Sequence, residues 1–181
     1  MNKFKENINS FILPAAIILA LSLTRLIPHP WNFSPMLAVG VFSGFYFKQF
    51  YLSLFVVIFS MFIGDIFLGF HSLMFFTYVA LAIAVLIGLS VKYFKFSEIL
   101  YSGLASSVCF FIITNFGAWL THGEMYDKNF SGLMQSYVMA IPFFQNTLIS
   151  TFVYLLLFKL LFDLVVKKKY LKLLFKNGHR F

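Results

Sequence analysis

The sequence predicts an all-α integral membrane protein, a bundle of six transmembrane helices with both termini on the cytoplasmic side. Its composition is 61% hydrophobic and only 11% charged, with 27 phenylalanines among 181 residues. A soluble domain carries about 25% charged residues to stay dispersed. Several apolar stretches approach the roughly 20 residues that cross a bilayer as a helix. The cationic residues, finally, alternate in step with those stretches.

The first helix runs from about Phe11 to Ile27 and stops at the Pro28-His29-Pro30 turn. Lys3 and Lys5 followed by an apolar run have the pattern of a cleavable signal peptide, with Ala20 and Ser22 as small residues before a cut. An uncleaved helix is expected instead, because the run leads straight into a polar motif. The second helix is short, Met36 to Phe47, after Pro35. Twelve residues rise only about 18 Å, so this segment starts earlier, tilts steeply, or is buried among its neighbours. The third runs from Phe50 to about Phe70, the fourth from Leu73 to Val91, the fifth from Ile99 to Leu120, and the sixth from Phe143 to about Val166. The stretch from Phe130 to Ala140 reads as a short interfacial or re-entrant helix before Pro142. With no long linker or repeat, residues 1–181 form one membrane domain ending in a basic cytoplasmic tail, 167–181.

With the amino end inside, eleven cationic residues fall on the inner side: Lys3, Lys5, Lys48, Lys92, Lys95, and Lys167, Lys168, Lys169, Lys172, Lys176 and Arg180 of the tail. Arg25 and Lys128 are the two outside, and Lys159 lies within the last span. This is the positive-inside distribution. The net charge of +8 therefore serves anionic lipid headgroups at the tail, and nothing in the chain resembles a nucleic-acid module. Cys109 is the single cysteine and forms no intrachain disulfide.

Given that orientation, the residues least suited to lipid gather at the outer side. Arg25 ends helix one, with His29, Trp31 and Asn32 following; Asp65 is near the end of helix three, with His71 in the next turn. Asn115, Trp119 and His122, at spacings of four and three, share one face of helix five. Gln145, Asn146 and Thr147 follow Pro142. An ionisable residue in a span costs about 2.5–3.5 kcal/mol on insertion scales, so it has a partner and usually a task. Arg25 and Asp65 either pair with each other, tying helix one to helix three, or face a cavity and hold a polar ligand. The two roles are compatible.

His29, His71 and His122 with Asp65 have the donor chemistry of a metal site, but none has metal-motif spacing, and no metal or other cofactor is expected. Trp31 and Trp119 fit either an interfacial aromatic belt or a stacking wall for a flat ligand. Ala16 and Ala20, Gly40 and Gly44, and Ala80 and Ala84 repeat at four residues, a spacing that permits close helix approach, within the bundle or against another subunit. HExxH, GxSxG and P-loop signatures are missing. Without a nucleotide site, any transport by this chain draws on a gradient or a partner.

The strings Arg25-Leu26-Ile27-Pro28-His29-Pro30-Trp31-Asn32-Phe33-Ser34-Pro35, Gly64-Asp65-Ile66-Phe67-Leu68-Gly69-Phe70-His71, Asn115-Phe116-Gly117-Ala118-Trp119 and Ile141-Pro142-Phe143-Phe144-Gln145-Asn146-Thr147 resemble an uncharacterised bacterial six-helix membrane family. That family looks related to the substrate-binding S-components of energy-coupling-factor vitamin transporters. The resemblance implies a multi-pass protein of the bacterial cytoplasmic membrane with a ligand pocket at the outer side. It implies that Ala16 and Ala20 dock a membrane coupling subunit that carries ATPases. The solitary cobalamin-binding S-components share a His after helix one and an Asp ending helix three, but their cysteine ligand to cobalt has no counterpart here, Cys109 lying mid-helix.

The expected function is a substrate-binding subunit for uptake of a small vitamin-like molecule, contacted by Arg25, His29, Trp31, Asn32, Asp65, His71, Asn115, Trp119, His122 and Asn146. Two other classes compete. One is an integral membrane enzyme acting on a lipid or polyprenyl substrate at the outer leaflet, which metal dependence through the three histidines would favour. The other is a ligand-free structural membrane subunit in which Arg25 and Asp65 merely pair.

Overall fold

The computed structural model describes residues 14–177, with side chains described through residue 164. Lys3 and Lys5, the expected start at Phe11, and the cationic side chains of the tail lie outside the described residues. The rest is helical throughout, with no strand among the described residues. The helices are α1 (Pro14–Leu26, its last turn a 3-10 helix), α2 (Met36–Phe47), α3 (Phe50–Leu68), α4 (Met74–Ser90), α5 (Phe96–Thr121) and α6 (Phe130–Asn177).

Hydropathy is arranged inside out. On α3 the buried positions are Ser53, Val57, Ser60, Met61, Gly64 and Asp65, while Phe55, Phe59, Phe62 and Ile66 are exposed. On α5, Ser102, Gly103, Ser106, Ser107, Thr114 and Gly117 face inward, and Leu100, Leu104, Val108, Ile112, Phe116 and Leu120 face out. A soluble monomer does not leave such continuous apolar faces to water. In lipid, by contrast, small and hydroxyl side chains hold helices together while large apolar ones meet the acyl chains. Three helices are long and apolar enough to cross a membrane: Phe50–Leu68, Phe96–Thr121 and Phe130–Leu164. The apolar helices α1, α2 and α4 are shorter.

The short second helix owes its length to burial. α2 is enclosed on nearly every side, with eleven of its twelve residues buried, and it packs against α3, α4, α5 and α6. It lies closest to α4. A Cβ added to Gly44 would sit 2.3 Å from the Val85 carbonyl oxygen, and one added to Gly88 2.1 Å from that of Val41. Only glycine permits this backbone approach.

Three expected boundaries are corrected. The segment from Phe130 is not a separate re-entrant helix, because α6 runs unbroken from Phe130 through Pro142 to Asn177. Asn129 starts it, its Oδ1 accepting the Gly132 N–H at 2.9 Å, the usual role of an N-cap side chain. Ser136 and Tyr137 then donate to the carbonyls of Asn115 and Ile112, fastening this stretch to α5. Pro142 removes one helical hydrogen bond, a loss that neighbouring helices make tolerable. The helix also continues beyond Val166, so the tail through Asn177 is helical rather than a separate appendage. α5 likewise begins three residues early, because the Glu98 carboxylate accepts the N–H groups of Lys92, Tyr93 and Lys95.

Candidate functional site

α1, α3 and α5 end, and α2, α4 and α6 begin, at one end of the bundle, and a cavity of about 800 Å³ opens there among them. Arg25 enters it from the last turn of α1. Its Nη2 donates to Asp65 Oδ1 at 3.0 Å, with Arg25 12% and Asp65 1% exposed. Its Nη1 lies 3.3 Å from the Met61 carbonyl oxygen and 2.8 Å from the Met61 sulfur. The guanidinium fits because residue 64 is glycine: a Cβ there would stand 2.8 Å from Nη1. The second carboxylate oxygen of Asp65 accepts from the Tyr78 hydroxyl at 2.8 Å. Thus α1, α3 and α4 are tied by one buried ionic triad, and Asp65 lies behind the cavity wall rather than on it.

The remaining candidates divide into three groups. His29, Trp31, Asn32, His71 and Asn115 line the cavity along with Arg25. The His29 ring nitrogens lie 2.9 Å from the Pro30 carbonyl oxygen and 3.2 Å from that of Arg25, so the ring braces the chain as it leaves α1. Asn32 has φ of 61°, a left-handed conformation that asparagine tolerates better than most residues. Asn115 donates its amide N–H to the Phe111 carbonyl at 2.8 Å.

Asn146 belongs to the rim. It donates to the Trp31 carbonyl at 3.0 Å and so pins the α1–α2 loop to α6. Trp31 itself is 80% exposed.

Trp119 and His122 are engaged elsewhere, at the α5–α6 connection. Trp119 Nε1 donates to the Asp127 carbonyl at 2.9 Å, and Lys128 lies 5.5 Å from the centre of its ring. Lys128 also donates to the Leu120 carbonyl at 2.8 Å, capping the end of α5. His122 faces Ser72 at 3.2 Å and Thr121 at 2.9 Å. Among the described residues no three His, Cys, Asp or Glu side chains gather as a metal set.

Ala16 and Ala20 lie on the exposed face of α1.

The sequence reading did not single out Tyr78 or Thr77. The signal for Tyr78 was available: a phenol in the second turn of an apolar helix needs a hydrogen-bond partner, and Asp65, with two oxygens and a single candidate cation, needed one too. Thr77 had no such signal.

The model of one family matches residues 5–173, almost the whole chain. The chain belongs to DUF6580, a family of unknown function. Comparison with curated proteins and with solved structures returned no match. The DUF6580 match spans all six helices, so the triad and the cavity lie within the family's own domain.

Proposed function

We propose that this chain is a substrate-binding membrane subunit, similar to the S-components of energy-coupling-factor transporters, that captures a small vitamin-like molecule from outside a bacterial cell. All six helices span the bilayer in this reading, the shorter ones shielded by their neighbours, with both termini cytoplasmic and the cavity facing out. The positive-inside distribution of cations supports that orientation. The observation that carries the reading is the cavity itself. It is of ligand size, since small-molecule sites run about 300–1,000 Å³, and is lined chiefly by apolar side chains with a few convergent polar ones.

The pairing of Arg25 with Asp65 favours a structural part for Asp65, but it does not make the bundle a mere scaffold. Arg25 remains on the cavity wall with its guanidinium fixed in place, and a ligand would meet a preorganised donor. Ala16 and Ala20, exposed on α1, would offer a flat face to a membrane coupling subunit whose ATPases drive release inward. An enzymatic reading gains no support from the dispersed histidines.

The test is native mass spectrometry of protein purified in mild detergent, wild type beside Asn115→Leu. Wild type is expected to carry a small-molecule adduct that the folded variant loses. An adduct retained in full by the variant, or none in wild type together with no thermal shift across a metabolite panel, would overturn the receptor reading.

A further inference from the structure

The cavity wall has a direction of charge that identifies a class of ligand. α2 and α4 run parallel and begin at the same end. Gly40 lies against Leu81 and Ala84, and Gly44 against Val85 and Gly88, so stepping back one turn sets Met36 and Leu37 beside Thr77. All three residues line the cavity, as does Leu73 at the start of α4. Neither helix has a side-chain cap or an acidic residue in its first turn. The Met36 N–H is turned to Ser34 Oγ at 3.4 Å and the Met74 N–H to the His71 carbonyl at 3.1 Å. The next two N–H groups of each helix, on Leu37 and Ala38 and on Phe75 and Phe76, precede the first intrahelical bonds. Each start therefore keeps roughly half a positive charge, and here two such ends lie side by side.

Thr77 is an independent sign of a missing partner. It is 8% exposed and lines the cavity, yet its hydroxyl makes no hydrogen bond among the described residues. Thr114 and Thr147, on the same cavity, donate theirs to the Phe110 and Phe143 carbonyls. A threonine in a helix readily does the same, so a hydroxyl left unbonded on a largely buried residue of the cavity wall is available to something in the cavity. The lining also holds Arg25, His29 and His71 and no carboxylate. From α5 and α6, Phe110, Phe111, Phe143 and Phe144 add apolar surface to the lining.

We infer that the ligand is an amphipathic organic anion. Its carboxylate or phosphate is held by the paired α2 and α4 N-termini with Thr77 and Arg25, and its apolar body packs on the phenylalanines of α5 and α6. The inference rests on the receptor reading above and names the ligand class of that same cavity.

The experiment measures binding of four matched probes to the full chain in phosphatidylcholine nanodiscs: 4-(1-naphthyl)butyrate, its primary amide, the corresponding amine, and naphthyl phosphate. One or both anions are expected to bind about tenfold or more tightly than the amide, and the amine most weakly. The better anion identifies carboxylate or phosphate. Thr77→Val should weaken that anion about five- to tenfold while leaving the unfolding temperature unlowered, and Thr77→Ser should stay within about twofold of wild type. Equal binding of all four probes, or an undiminished anion preference in Thr77→Val, overturns the anionic pole and leaves the receptor reading standing. Binding by none overturns the inference, and the adduct experiment then decides the receptor reading separately. A Thr77→Val protein that fails to fold makes the hydroxyl structural and also counts against the inference. Loss of anion binding when a fifth of the lipid is phosphatidylglycerol assigns the wall to a lipid headgroup rather than a free anion.

Discussion

The two ends of the bundle are built from different materials. At the closed end, Phe42 stacks on Phe158 with ring centres 4.4 Å apart, and Phe45 on Phe94 at 4.6 Å. Phe162 meets both stacks edge-on. Phe94 and Phe158 are fully buried, and Lys48 donates to the carbonyls of Leu89 and Val91 at the C-terminal end of α4. At the cavity end the helices separate, and the buried groups are ionic and hydroxylic. The same small-residue α2–α4 crossing joins the two, so one end is sealed by aromatic packing while the other is held apart by a salt-bridged frame. The lesson is that hydroxyls are buried along the whole bundle, whereas the buried ion pair among the described residues stands where the fold is least closely packed.

The largest effect should come from breaking what the two ends share. Gly88→Val places side-chain atoms where the Val41 carbonyl stands. A clash with backbone has no soft relaxation and is expected to cost about 3 kcal/mol or more, seen as loss of monodisperse protein in size-exclusion chromatography. Next is the frame of the cavity end. Asp65→Ala leaves the Arg25 guanidinium buried and uncompensated, and about 3–5 kcal/mol of stability should be lost in thermal or denaturant unfolding. Replacing Arg25 and Asp65 together with apolar residues should recover part of that loss, which distinguishes a pair from two independent sites.

Tyr78→Phe removes one hydrogen bond to a charged carboxylate and should cost about 1.5–3 kcal/mol by the same measurement. The smallest change is expected at the rim. Trp31 is exposed and its side chain makes no hydrogen bond among the described residues, so Trp31→Ala should alter stability by no more than about 0.5 kcal/mol. A larger loss would mean that the α1–α2 loop is held by its indole and not through the Asn146 contact to its backbone.

Much of this contrast was legible in the sequence. The helix count and the starts of α2 and α3 follow from hydropathy, and the cost of a lone charge in a span offered the Arg25–Asp65 pair as one of two roles for those residues. The short α2 left three options, and only packing could choose burial, because a helix apolar on every side carries no directional pattern. α6 was cut at Pro142 because proline is read locally as a stop, whereas the Asn129 cap and the hydroxyl contacts to α5 override it. Trp119 and His122 share a helical face with Asn115, which placed them at one depth. The Asp127 and Lys128 contacts that turn them toward the α5–α6 connection depend on loop geometry that spacing does not encode. Thr77 was silent for the same reason: a threonine in an apolar helix looks alike whether its hydroxyl is bonded to its own helix or left open.

In the proposed orientation one end of this bundle is a water-accessible cavity facing out of the cell while the other is sealed. Single-cysteine labelling in intact cells tests it directly, with Cys109→Ser as the background and cysteine introduced at Asn115 in the cavity and at Phe45 in the closed end. A membrane-impermeant maleimide is predicted to label the first and spare the second. Labelling at residue 115 that requires permeabilised cells, or equal labelling at both positions, would contradict it.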